Sequence, residues 1–127
     1  MKVGLDTSVV LRLLVGEPAP QAKAAHRRLA QAHADGDEVI VIGTVLAETY
    51  HALVHHYRIG KDEARALLHR MVTSGAVAAD PPELVTALEP APGAGTVDRL
   101  ILHDYRSRQA TTLTFDKALG AAGAVRV

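Results

Sequence analysis

Four acidic residues, far apart in the chain, stand where short β-strands give way to helices: Asp6, Glu48, Asp98 and Asp116. Asp6 directly follows an apolar segment at residues 2–5. Asp116 directly follows a Thr-rich segment at residues 111–115 that reads as a strand. Glu48 lies about one turn into the helix expected after a β-branched run, Val39-Ile40-Val41-Ile42. Asp98 lies at the start of a further helix. In an open parallel sheet, ligands bind beyond the carboxyl ends of the strands, where helices also begin. If the strands are parallel, all four carboxylates can approach that one edge. Carboxylates gathered there repel one another until a cation or protons relieve them. Hard oxygen donors in a chain without cysteine suit Mg2+ or Mn2+. The chemistry such an ion serves is phosphodiester hydrolysis, in which a metal-activated water attacks phosphorus.

Each acid also has a local role open to it. Asp6 and Asp116 occupy helix N-cap positions, which aspartate favours, and either alone fits a cap better than a catalyst. Asp98 can cap too. At 100° per residue, however, it shares a face with Ile101, Leu102 and Tyr105, and an acid on a buried stripe is costly unless paired or metal-bound. Leu46, Thr49 and Leu53 mark the buried side of the Glu48 helix. Glu48 points largely away from it, as a solvated residue does.

The elements that position these acids are legible in the pattern. Residues 2–5, a tight turn and an apolar helix at 9–15 open the chain. Gly16-Glu17-Pro18 breaks that helix, and Pro18 and Pro20 suit the start of the next, over residues 21–34. The run at 39–42 does not alternate, as expected of a strand buried on both faces of a parallel sheet. Thr44 can cap a helix running to about residue 57. Gly60 ends it, and another helix extends to about 73 with Leu67, Leu68 and Met71 on one side. A short strand at 77–79, a short helix at 83–88, a Pro/Gly loop at 90–95 and a helix at 96–109 follow. The strand at 111–115, a helix from Asp116 to Gly120 and a terminal strand at 124–127 complete the series. Strands alternating with helices predict an α/β domain with a mainly parallel sheet.

In their surroundings the four acids resemble the PIN domain, and most of all the VapC-type toxins of bacterial toxin–antitoxin pairs. Leu5-Asp6-Thr7-Ser8-Val9-Val10-Leu11 resembles the family's opening motif, and Val45-Leu46-Ala47-Glu48 its second. Val97-Asp98-Arg99-Leu100-Ile101 resembles the third, although Arg99 stands where a small residue is usual. Leu113-Thr114-Phe115-Asp116-Lys117-Ala118-Leu119 resembles the fourth. The resemblance spans nearly the whole chain, so residues 1–127 read as a single PIN-like domain. It implies a three-layer α/β/α sandwich, an acidic Mg2+ or Mn2+ site, cleavage of RNA, a homodimer, and a small VapB-like antitoxin partner that blocks the site. Thr7, Ser8 and Thr114 would then support metal ligands or waters through their hydroxyls. Their alternative role is local turn and cap bonding.

Composition agrees with this and excludes other classes. The chain has 127 residues, 48% of them hydrophobic, but one Phe and three Tyr, so its core is built from Leu, Val, Ile and Ala. Without cysteine there is no disulfide, thiolate zinc site or cysteine nucleophile. No signal-peptide run opens the sequence and no apolar run is long enough to span a bilayer, which predicts a cytoplasmic protein. Fourteen basic residues balance fourteen acidic ones, which argues against a strong non-specific duplex binder. Glu48, His51 and His55 share a helix face, but their order is not that of a zinc protease, and a solvated face explains them better. Arg106 and Arg108 can contact phosphate or merely suit the end of their helix. Two further readings stand beside the toxin: a PIN-like nuclease of RNA processing or DNA repair, and a non-enzymatic receiver-like module. The second needs an early acidic pair, and Asp6 stands alone at its strand end.

Overall fold

The computed structural model describes all 127 residues. The element order is β1 (Lys2–Gly4), α1 (Thr7–Val15), α2 (Ala19–Ala34), β2 (Glu38–Ile42), α3 (Gly43–His55), α4 (Lys61–Thr73), β3 (Ala78–Asp80), α5 (Leu84–Ala87), α6 (Thr96–Ser107), β4 (Leu113–Thr114), α7 (Lys117–Ala121) and β5 (Val125–Arg126). Each expected strand and helix is present, within a few residues of its expected bounds. Helix α1 ends where Gly16 takes a left-handed conformation, φ 80°, and returns its N–H to Arg12 O. Pro18 and Pro20 flank the first residue of α2, as expected of residues whose missing N–H costs nothing there. Thr44 does not cap α3. The helix starts two residues earlier than such a cap requires, its cap position falls on Ile42, and no side chain caps it.

Every strand pair is parallel. The main sheet has the order β1-β2-β3, with Val3 opposite Val39 and Val41 opposite Ala79. A core of 17 buried residues joins it to the helices, with Val39 and Val41 of β2, Leu46 and Leu53 of α3, Leu68 and Met71 of α4 and Leu84 of α5. This is an α/β fold, and its helices are held by burial of Leu and Val side chains, each worth roughly 1.5–3 kcal/mol. No helix is long and apolar enough to cross a membrane.

The strands do not, however, form one sheet. β4 and β5 pair with each other in a separate two-stranded sheet, Leu113 opposite Val125 and Thr114 opposite Arg126. Helix α6 packs on α3 and α5, and the C-terminal segment packs on α6 through α7. That segment has a small core of its own, Ala94, Leu102, Leu119 and Ala124. Arg106 at the end of α6 also donates to Ala122 O at 3.3 Å. The expected convergence of Asp116 with the other acids at one sheet edge is therefore not formed within this chain.

Candidate active site

Asp6 follows β1 and is the N-cap of α1, because its extended backbone (φ −88°, ψ 175°) lets the carboxylate turn back on the helix start. Its Oδ1 accepts from Ser8 Oγ at 2.7 Å and from Val9 N at 3.1 Å. The Ser8 hydroxyl, and after it the Val9 N–H, hold the Asp6 carboxyl below its ordinary value, so it is ionised at neutral pH. Its second oxygen makes no hydrogen bond. Ser8 thus serves Asp6, the supporting role its hydroxyl allows.

Thr7, the first residue of α1, donates from Oγ1 to Glu48 Oε1 at 2.8 Å. This bond links residues 41 positions apart. It ties the turn after β1 to the middle of α3 and orients a carboxylate on an exposed helix face. Glu48 is exposed while Leu46, Thr49 and Leu53 are buried, as the helix periodicity predicts. Thr7, Ala47, Glu48, His51 and Val97 line one surface depression, so the first turn of α6 faces the Asp6 turn and α3.

Asp98 is half-buried in that first turn, where a negative charge complements the helix dipole. No hydrogen bond or ion pair engages it. The stripe it was expected to share is not buried: Leu102 is, but Ile101 and Tyr105 are exposed, because the buried side of α6 is formed by Thr96, Leu100 and Leu102. No apolar stripe therefore buries the Asp98 charge, and the residue stands beside Val97 at the rim of the depression.

Asp116 follows β4 and caps α7, its Oδ1 accepting from Leu119 N at 2.7 Å, while its own N–H donates to Thr114 Oγ1 at 2.9 Å. Both outer aspartates are thus caps, as either alone would be, and each keeps one oxygen free. The structure brings Asp6, Thr7, Ser8 and Glu48 together and sets the start of α6 against them. It leaves Asp116 and Thr114 on the separate sheet. In kind, these oxygen donors fit Mg2+ or Mn2+. In number they do not: no three Asp, Glu or His side chains stand close enough to hold an ion.

The remaining candidates have local duties. Arg99 donates to Glu89 O and to Thr86 O at 3.1 Å, pinning the loop before α6 rather than facing a phosphate. Arg108 Nε lies 3.4 Å from Asp104 Oδ1. His51 and His55 stack with ring centroids 4.5 Å apart on the exposed face of α3. Two half-buried acids escaped the sequence reading. Asp80 ends β3 opposite Ile42, at the same sheet edge as Asp6. Asp104 lines a depression with Gly43 and Thr44 at the start of α3. A polar residue at a third strand's end was a usable signal for Asp80; for Asp104 the sequence offered only its i,i+4 spacing to Arg108.

The PIN domain family profile matches residues 3–124 of the chain. No curated protein and no solved structure matches it.

Proposed function

The chain belongs to the PIN domain family, whose members are generally nucleases that use divalent metals, and on that premise we propose that it is an Mg2+- or Mn2+-dependent endoribonuclease acting through Asp6, Glu48, Asp98 and Asp116. The observation that carries the reading is the Thr7–Glu48 bond. It serves no local cap or turn, and it couples the acid-bearing turn after β1 to the acid on α3.

In this reading, Asp6 and Glu48 are the preorganised half of the site. Ser8 and Val9 keep Asp6 ionised and fix its carboxylate plane; Thr7 fixes that of Glu48. Asp98 contributes an acid without a competing partner, and Asp116 contributes the oxygen its cap leaves free, with Thr114 holding the turn that presents it. A divalent ion, if held by these oxygens, would supply Lewis acidity at the phosphodiester. One chain does not bring three of the acids together.

The same reading makes the protein a single-domain, cytoplasmic, homodimeric toxin of a VapBC-type pair, inhibited by a small VapB-like antitoxin. What supports it is the resemblance of the four motifs. Two experiments test the two levels. Asp6→Asn keeps an N-cap, so it is expected to fold yet lose Mg2+-dependent cleavage of RNA; cleavage at wild-type speed would remove Asp6 from the mechanism. Expression of the wild-type chain alone is expected to arrest growth, with rescue by a co-expressed small neighbouring gene; harmless expression of an active nuclease would discard the toxin role and keep the enzyme.

A further inference from the structure

Helix α3 carries a pair of candidate ligands besides its acid. His51 and His55 are four residues apart, a spacing that sets both side chains on one helix face, one turn from each other. Leu46, Thr49 and Leu53 take the buried side of α3, and the two histidines are exposed on the other. Their ring centroids lie 4.5 Å apart, with the planes inclined by 43°. Neither ring makes a hydrogen bond to the chain. His33 shows the contrast: its Nε2 lies 2.7 Å from Ala76 O and is spent on holding the loop before β3. His51 and His55 have no such duty in the fold.

Two imidazoles one turn apart are a pair by which helices hold zinc, since each neutral ring offers one unprotonated nitrogen to a shared ion. Imidazole nitrogen suits Zn2+, Ni2+ and Cu2+, whereas the carboxylate oxygens of Asp6 and Glu48 suit Mg2+ and Mn2+. The two kinds of donor therefore select different ions. His55 also lies in the last turn of α3, where the helix dipole favours a cation. No third His, Asp or Glu stands close enough to join the pair. Water would fill the remaining positions, and an ion with open positions accepts a further ligand that turns toward it.

Glu48 is placed to be that ligand. It precedes His51 by three residues on the same face, and both line the depression that Thr7 borders. Thr7 Oγ1 holds Glu48 Oε1 at 2.8 Å, and the other carboxylate oxygen makes no hydrogen bond. The bond to Thr7 is exposed, so water takes its place when Glu48 turns away.

We propose that His51 and His55 form a site for a divalent transition-metal ion, Zn2+ foremost, and that the bound ion takes Glu48 from Thr7. The site uses different donors from the acidic one, and Glu48 is the link between them. With Zn2+ on α3, Glu48 turns toward that ion and away from the Asp6 turn, so Zn2+ inhibits the cleavage that Mg2+ supports. This consequence rests on the nuclease reading; the metal site itself does not. Removal of the competing Thr7 hydroxyl conversely tightens Zn2+ binding.

The test uses the untagged full chain, because an added polyhistidine run would mask the pair. In excess Mg2+, calorimetric titration is expected to show Zn2+ binding that His51→Gln and His55→Gln each weaken at least roughly tenfold. Both substitutions alter exposed residues, so the fold is kept. Asp6→Asn is expected to bind Zn2+ as wild type does. Thr7→Val is expected to bind it about two- to tenfold more tightly, the factor a hydrogen bond is worth. For cleavage of RNA, Zn2+ is expected to slow the Mg2+-supported rate of wild type by roughly tenfold or more and to leave that of His55→Gln unchanged. Zn2+ affinity that neither histidine substitution moves, or that Asp6→Asn abolishes, would overturn the site. Zn2+ held by both histidines without slowing an active wild type, and no more tightly in Thr7→Val, would overturn the link to Glu48. A wild type that cleaves no RNA yet binds Zn2+ through both histidines would instead remove the nuclease reading and leave the metal site standing.

Discussion

Replacing Thr7 by Val removes one hydroxyl and keeps the shape of the side chain. The lost interaction is the 2.8 Å bond to Glu48 Oε1, the one side-chain bond between the acid-bearing turn and α3. Hydrogen bonds to charged groups contribute roughly 1.5–3 kcal/mol. Glu48 is exposed, so water replaces much of this, and about 1 kcal/mol remains. For a chain of this size that lowers the melting temperature by about 3–6 °C. The catalytic effect is larger, because Glu48 loses its orientation while keeping its charge. A misplaced group costs up to about a hundredfold in rate, so kcat for RNA cleavage should fall roughly ten- to hundredfold. Thr7→Ser restores the hydroxyl and should recover most of both losses. Glu48→Gln gives the opposite pattern: its amide oxygen still accepts from Thr7, so melting stays within about 2 °C of wild type, while cleavage is lost. Differential scanning calorimetry with single-turnover cleavage separates the two. If Thr7→Val melts and cleaves like wild type, or if Glu48→Gln cuts RNA at wild-type speed, the coupling of the turn to α3 has no part in function.

Two other perturbations follow from local geometry. Asp116→Ala loses the cap bond to Leu119 N and should cost about 1 kcal/mol in urea denaturation, whereas Asp116→Asn keeps a cap and costs a few tenths; both should lose cleavage, and a fully active Asp116→Asn would make this residue a cap alone. Burial, then the charges of Arg106 and Arg99, push His103 below its ordinary value near 6.5. The folded chain therefore resists a proton that the unfolded chain accepts, and stability falls as pH drops through about 6.5 toward the folded value, with no contribution above it. His103→Gln should flatten that decline in melting temperature between pH 7 and pH 5; an unchanged slope would assign it to another group.

Local elements were legible because local physics sets them. The unalternating Val39–Ile42 run, the prolines at the start of α2 and the glycine after α1 each act within a turn of their own position. Glu48 read as solvated from its helix periodicity, and it is. What local pattern does not encode is which strand lies beside which. Residues 111–115 look like any short strand rich in Thr, Leu and Phe, and nothing in them says that β4 pairs with β5 and not with β1. The Asp98 helix misled for a related reason: Ile101 and Tyr105 have the spacing of a buried stripe, but α3 and α5 cover the adjoining face. The Thr7–Glu48 bond spans 41 residues and could be read only once β1 and α3 were placed in space.

The account depends on carboxylates from distant parts of the sequence acting on a single ion, and Mn2+ affinity by titration calorimetry tests that most directly. Wild type, Asp6→Asn, Asp116→Asn and the double variant are compared. Residues that share one ion are not additive, so each single substitution should weaken binding at least tenfold and the double variant little further. Mn2+ bound equally by wild type and Asp116→Asn, or losses that simply multiply, would mean that these acids serve separate places.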